Sequence, residues 1–268
     1  MPADQGAGRG DPPLQESHFH ATRPQESGFP ADPGPLPAAV LWDMDGTLID
    51  SERLWDVSLQ ATARELGGAL SDRARDSLVG VDIDTSIVVL LDDVGVPATP
   101  ERVAWTYDRL VALTEELFVA GDVDWRPGAR AALRTVREAG LRTALVTNSL
   151  RRITELALDG IGRDFLDVSV CGDEVAAGKP APDPYLRAAE LLGVAIGACV
   201  AVEDSPNGAL AAERAGAAVL VVPCEVPVPA GPRRTFRDDL VGLTAHELGV
   251  ALRSATDADT GADDERVA

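Results

Sequence analysis

Acidic and hydroxyl residues follow three short apolar runs of this sequence. The segments are DMDGT at 43–47, TNS at 147–149 and EDS at 203–205. If the runs are parallel strands, their carboxyl ends lie at the edge of the sheet where ligands bind. Four carboxylates gathered at one edge repel one another and raise one another's pKa unless a cation lies between them. Because Mg²⁺ prefers carboxylate and carbonyl oxygens, the sequence predicts a magnesium site there.

Each segment alone has a simpler interpretation. DxDGT is often only a turn after a strand, and TNS or EDS is typical of a helix N-cap. The argument for chemistry rests on their joint occurrence, in order, each at the end of an apolar run.

A single lysine strengthens this prediction. Lys179 is the only lysine among the 24 basic residues, and it lies in GKPAP at 178–182, before a predicted helix. A compact ammonium approaches an oxyanion and a carboxylate together more easily than a planar guanidinium does. We therefore expect Lys179 to act as a point charge in the site, although most lysines are simply solvated.

The elements that position these residues alternate between strand and helix. Strand patterns cover 38–42, 142–146, 168–171, 198–202 and 217–222, and helical patterns lie near 128–139, 150–160, 183–192 and 206–215. This alternation predicts an α/β fold with a parallel sheet covered on both faces. Four further helical patterns, near 51–67, 72–79, 84–93 and 100–120, interrupt it with no convincing strand and predict an inserted helical subdomain.

Both ends of the chain read as tails. Residues 1–36 are rich in Pro, Gly, Gln and Asp, and residues 254–268 are acidic, so we expect both segments to be disordered. No histidine constellation for catalysis or metal binding is apparent, since two of the three histidines lie in the first tail.

Composition limits the partners and the compartment. The net charge of −20 disfavours binding to nucleic acid or to an anionic membrane. No apolar run approaches the length of a membrane span, and the first residues lack the layout of a signal peptide. Three cysteines without CxxC spacing argue against a disulfide framework, so we expect a cytoplasmic protein.

The ordered set DMDGT, TNS, GKPAP and EDS resembles the haloacid dehalogenase (HAD) superfamily of phosphohydrolases over about residues 38–252. More narrowly, DMDGTLIDSE at 43–52 with Trp55 is similar to phosphatases that act on hexose, deoxyhexose or hexitol phosphates, a group that borders the β-phosphoglucomutases. The resemblance implies a Rossmann-like three-layer core at 37–51 and 125–253, with an α-helical cap at 52–124. It also implies a monomer that acts on a small phosphate ester.

The resemblance implies roles for seven residues. Asp43 would be the nucleophile that forms an aspartyl phosphate, and Asp45 the general acid and base. Thr147 and the Asn148 backbone N–H would hold the phosphoryl oxygens, and Lys179 would neutralise charge between the phosphate and the nucleophile. The metal set would be Asp43, the backbone carbonyl of Asp45, Asp204 and, directly or indirectly, Glu203.

Other branches of the superfamily fit less well. Dehalogenation needs neither Mg²⁺ nor Asp45, and phosphonate hydrolysis needs a lysine that the cap lacks. A mutase is expected to carry a histidine near Trp55 and an arginine in the segment 80–86, which offers acids instead. A Mg²⁺-dependent phosphatase is thus the prediction, with a phosphosugar mutase and a non-catalytic binding module as alternatives. Candidate residues for substrate choice are Trp55, Asp82, Asp84 and Arg109.

Overall fold

A six-stranded parallel sheet forms the centre of the molecule. The computed structural model of the chain describes residues 35–78, 81–120 and 124–264. The strand order is β3-β2-β1-β4-β5-β6, and every neighbouring pair is parallel. The strands are β1 (Ala39–Trp42), β2 (Arg142–Val146), β3 (Val168–Val170), β4 (Cys199–Glu203), β5 (Ala218–Val221) and β6 (Arg234–Phe236).

Helices cover both faces of this sheet. Because successive strand residues point to opposite faces, Val40 and Trp42 belong to one core cluster and Ala39 and Leu41 to another. The first cluster includes residues of α5 (Ala129–Glu138), α6 (Arg151–Ile161) and α9 (Ala245–Asp264), and the second includes residues of α7 (Asp183–Leu192) and α8 (Pro206–Ala215). Burial on both faces explains why the central strands read as continuous apolar runs.

Four helices between β1 and α5 have an apolar cluster of their own. They are α1 (Glu52–Glu65), α2 (Asp72–Ser77), α3 (Ile83–Asp93) and α4 (Pro100–Ala120), and we call them the helical block. Leu59, Leu90 and Leu110 are buried in their shared cluster. Along the chain, the block separates the first strand from the rest of the sheet.

The register of the sheet aligns the segments that carry chemistry. Trp42, the last residue of β1, pairs with Leu145 on one side and with Val202 on the other. The residues that follow these positions therefore lie side by side at the carboxyl edge.

The fold class predicted from the sequence is confirmed, with two corrections. All five predicted strands are present, and the eight helices α1 to α8 begin and end within two residues of their predicted bounds. β6 was not predicted, because Arg234-Thr235-Phe236 is a partly polar edge strand without an apolar run.

The prediction that the chain is disordered from residue 254 is also wrong. α9 continues to Asp264, and Ala255 is 1% exposed in the first core cluster, so disorder does not begin at residue 254. The acidic composition of this segment gave no indication that the helix continues. Residues 1–34, most of the predicted N-terminal tail, lie outside the described residues. Across the described residues, no helix combines the length and the apolar character needed to cross a bilayer.

Candidate active site

The first acidic segment is fixed by β1 and by a glycine turn. The backbone N–H of Asp43 donates to the carbonyl of Val202 at 3.0 Å, which prolongs the pairing of β1 with β4. Gly46 has a φ of +82°, and a Cβ atom there would lie 2.1 Å from Asp204 Oδ2. Glycine is therefore required at position 46, both for the left-handed turn and for the approach of Asp204.

Lys179 lies between two buried carboxylates. Its Nζ is 2.6 Å from Asp43 Oδ1 and 2.6 Å from Glu203 Oε1, and the lysine side chain is 3% exposed. Burial opposes the lysine charge, but Asp43 and Glu203 outweigh it and raise the pKa of Lys179 above its ordinary value. Lys179 is therefore a buried, positively charged residue that two carboxylates hold in place.

Glu203 is held on every side by the protein. Its Oε1 also accepts from the hydroxyl of Tyr185 at 2.5 Å, and its Oε2 accepts from the hydroxyl of Ser205 at 3.3 Å. A Cβ atom at Gly208 would lie 1.9 Å from Oε1. Since both oxygens already have partners, this carboxylate orients Lys179 more readily than it opens to a ligand.

Three hydroxyl groups surround the carboxylate of Asp45. Ser51 Oγ donates to Oδ1 at 2.5 Å, while Thr147 Oγ1 and Ser149 Oγ donate to Oδ2 at 2.9 and 2.8 Å. The Thr147 hydroxyl, to which the resemblance gives a role in phosphate binding, thus contacts the carboxylate of Asp45 directly.

Asn148 fixes the backbone of the lysine loop. Its Oδ1 accepts from the backbone N–H of Lys179 at 2.7 Å, and its Nδ2 donates to the carbonyl of the same residue at 3.1 Å. The resemblance implies a role only for the backbone N–H of Asn148. The structure shows that the side chain of Asn148 positions the backbone of Lys179.

The carboxylates could hold a divalent cation. One oxygen from each of Asp43, Glu203 and Asp204 lies within 4.8 Å of the others, and all three residues are buried. Asp43 Oδ2 is buried and has no hydrogen-bond partner among the described residues, so a bound cation could satisfy this oxygen. Burial raises the pKa of Asp43 to about 7, against the opposing effect of Lys179. A hard cation would stabilise the carboxylate at this position, so the donor set fits Mg²⁺.

A cleft that is open to solvent lies between the sheet edge and the helical block. Asp43, Asp45, Lys179 and Asp204 line it together with Trp55, one of the four residues proposed for substrate choice. The other three do not line it. Asp82 caps the N-terminus of α3, Arg109 pairs with Glu65, and Asp84 belongs to the first turn of α3.

The cleft also contains residues that sequence reasoning missed. Arg75 of α2 lines it, so the helical block does supply an arginine, although outside the segment 80–86 where a mutase is expected to carry one. The sequence alone does not single out Arg75, because Arg73 lies two residues away in the same helix. Only the packing of the helices shows which of the two arginines lines the cleft. Ser51 and Ser149 lie inside segments that the sequence singled out, and only their roles were missing.

Comparison with known proteins identifies relatives across most of the chain. A family model described as haloacid dehalogenase-like hydrolase matches residues 37–216. Hexitol phosphatase B of Escherichia coli K12 is 33% identical over 218 residues, which cover 78% of this chain and 96% of that protein. A phosphorylated carbohydrates phosphatase of Thermotoga maritima is 30% identical, over 66% of this chain and 81% of that protein.

Solved structures agree with these relatives. CbbY from Rhodobacter sphaeroides, in complex with xylulose-(1,5)bisphosphate, superposes with a TM-score of 0.69 at 27% identity, covering 78% of this chain and 96% of that one. A β-phosphoglucomutase from Clostridium difficile has a TM-score of 0.72 at 18% identity, over 82% of this chain and 99% of that one, and shows a shared fold.

Proposed function

This chain belongs to the haloacid dehalogenase-like hydrolases, and from that premise we propose that it is a Mg²⁺-dependent phosphatase of a small phosphomonoester, most simply a sugar, deoxysugar or polyol phosphate. The observation that carries the proposal is the Asp43–Lys179 pair. A buried carboxylate with one oxygen bound to a lysine and the other without a partner among the described residues is suited to attack phosphorus.

In the proposed reaction, a carboxylate oxygen of Asp43 forms a bond to phosphorus while the bond from phosphorus to the leaving oxygen breaks. Asp45 in its protonated form gives its proton to that oxygen, which leaves as an alcohol. Asp45 then accepts a proton from a water molecule as the water oxygen attacks phosphorus and the bond from phosphorus to the Asp43 oxygen breaks. The products are inorganic phosphate and the free Asp43 carboxylate.

The surrounding residues position these two groups. Lys179 compensates the negative charge that gathers between Asp43 and the phosphoryl oxygens, while Asn148 and Glu203 fix its position. We assign phosphoryl binding to the Thr147 hydroxyl and the Asn148 backbone N–H. Binding by Thr147 requires its hydroxyl to turn from Asp45 towards the phosphate.

Asp43, Asp204 and the backbone carbonyl of Asp45 would hold Mg²⁺. Its chemistry would be to polarise the phosphoryl group and to offset the charge of the carboxylates. Glu203 would act indirectly, because its oxygens accept hydrogen bonds from Lys179, Tyr185 and Ser205 and so are not free to bind the ion. The helical block serves as the cap that covers the leaving group.

Phosphate release from p-nitrophenyl phosphate tests the proposal. We expect turnover with Mg²⁺, loss of turnover with EDTA, and recovery when excess Mg²⁺ is added back. Turnover that is indifferent to EDTA would remove the metal from the proposal, and no turnover at any Mg²⁺ concentration would favour a binding module.

A further inference from the structure

The helical block presents a mostly apolar wall to the cleft. Its contribution includes Trp55, Leu59, Leu78, Ile83 and Leu110. Such a wall suits the C–H face of a ring or chain, because aromatic and aliphatic side chains exclude water from apolar surface. Among the described residues that the block contributes to the cleft, only Asp56 and Arg75 are charged.

These two charged residues form a cluster with Glu225, which lies outside the helical block in the part of the chain that contains the sheet. Arg75 Nε donates to Asp56 Oδ1 at 2.7 Å, and Arg75 Nη2 lies 3.5 Å from Glu225 Oε2, in the loop after β5. All three side chains line the cleft and are partly exposed, by 27% for Asp56, 37% for Arg75 and 35% for Glu225. The cluster therefore connects helices α1 and α2 with the loop after β5.

The chemistry of this cluster matches hydroxyl groups. A guanidinium has five N–H donors, of which two face the carboxylates, and each carboxylate keeps acceptor positions. A hydroxyl group both donates and accepts, so an arginine–carboxylate pair satisfies it. A second phosphate is a poor fit, because the cluster has two acids and one base and its net charge of −1 repels a dianion.

We propose that Asp56, Arg75 and Glu225 recognise the hydroxyl groups of the leaving alcohol, and that the substrate is the monophosphate of a neutral polyhydroxylated alcohol and not a bisphosphate. The inference rests on the proposed phosphatase function. It makes Arg75 and Asp56 specificity-determining residues, with Trp55 and its apolar neighbours supporting the C–H face of the same alcohol.

The test compares substrates with and without hydroxyl groups. The probes are glucose 6-phosphate, sorbitol 6-phosphate, fructose 1,6-bisphosphate and p-nitrophenyl phosphate, assayed with the full chain and Mg²⁺. We expect the wild type to prefer at least one of the two monophosphates over the bisphosphate. The measured quantity is the kcat/KM for the preferred monophosphate divided by the kcat/KM for p-nitrophenyl phosphate. This ratio should fall at least ~10-fold in Arg75→Gln and in Asp56→Asn, mainly through a higher KM for the monophosphate, because a hydrogen bond to a charged group is lost.

Two further variants complete the experiment. Arg109→Gln is the matched control, because Arg109 also pairs with a carboxylate in the helical block but does not line the cleft, and the ratio should not change. Arg75→Lys keeps the charge and loses the planar fork, so it should not restore the ratio.

The inference would be overturned by a preference for the bisphosphate, by a ratio that Arg75→Lys restores, or by an unchanged ratio in Arg75→Gln. It would also be overturned by hydrolysis of p-nitrophenyl phosphate with no preference for either monophosphate. Failure of the proposed function looks different, because p-nitrophenyl phosphate itself would then not be hydrolysed.

Discussion

Lys179 lies between two buried carboxylates and beside an aromatic ring. Its Nζ contacts both Asp43 and Glu203 at 2.6 Å and lies 5.2 Å from the centre of the Tyr185 ring. We predict that Lys179→Arg lowers kcat nearly as much as Lys179→Ala, by ~10²-fold or more, because a guanidinium does not fit between two carboxylates at this spacing. Steady-state turnover of the two variants, measured side by side, decides the matter. A fully active Lys179→Arg would show that any positive charge suffices.

Asp43 offers a test of covalent catalysis. Asp43→Asn preserves the shape of the side chain and removes the attacking charge, and no neighbouring group can take over as nucleophile. We predict that turnover falls by at least ~10³-fold. The variant should still fold, as judged by circular dichroism, and more than a tenth of wild-type turnover in such a folded variant is incompatible with the assignment.

Three hydroxyl groups hold the carboxylate of Asp45 in place, and the proposed reaction makes this residue the proton donor to the leaving oxygen. Asp45→Asn removes the acid, and the loss of turnover should be larger for a sugar phosphate than for p-nitrophenyl phosphate. The reason is that a phenolate leaves without much protonation, whereas a sugar alkoxide does not. Parallel kcat measurements on both substrates check this expectation, and equal losses would argue against Asp45 as the acid.

At the scale of elements, the start of α8 is shaped by the active site. Ser205 caps this helix by accepting from the N–H of Gly208, and the missing side chain at Gly208 makes room for Glu203. Alanine normally stabilises a helix by ~1 kcal/mol relative to glycine. Here a Cβ atom would lie 1.9 Å from a carboxylate that is fully buried, so the steric cost should reverse the sign.

We therefore predict that Gly208→Ala lowers both the melting temperature and the turnover, because Glu203 must move and Lys179 with it. Gly197→Ala is the control, since its Cβ atom would meet no atom closer than 3.9 Å. Thermal melts and turnover of the two variants check the prediction, and a more stable Gly208→Ala would mean that Glu203 has room to shift.

The sequence predicts the elements better than it predicts the contacts between them. The strands β1, β2 and β4 are buried on both faces, so their apolar runs stand out, and the residues at their ends follow from the parallel order. β6 escapes prediction because an edge strand needs no apolar run. Arg75 escapes because its place in the cleft depends on how the helical block docks on the sheet, which no local pattern records.

At the scale of the whole molecule, the charge distribution opposes the proposed substrate. The chain carries a net charge of −20, which repels a phosphate ester at long range. Screening limits this repulsion to about a Debye length, ~10 Å at 0.1 M salt. Substrate capture must therefore depend on positive charge at the expected phosphate site, from Lys179 and the proposed Mg²⁺.

The last prediction concerns how much of the chain the fold requires. Deleting residues 1–34 should leave the melting temperature and turnover nearly unchanged, because that segment contains few aliphatic side chains. At the other end, a chain that stops at Asp264 should melt like the full chain, whereas a chain that stops at Arg253 loses Ala255, which is buried in the first core cluster. Losing the buried Ala255 side chain and the helix turn around it should lower the free energy of unfolding by about 1 kcal/mol or more. The melting temperature should then fall by roughly 2–4 °C. Thermal melts of the three truncated chains provide the measurement. An unchanged melting temperature after truncation at Arg253 would mean that the end of α9 adds nothing to stability, as the acidic composition alone suggested.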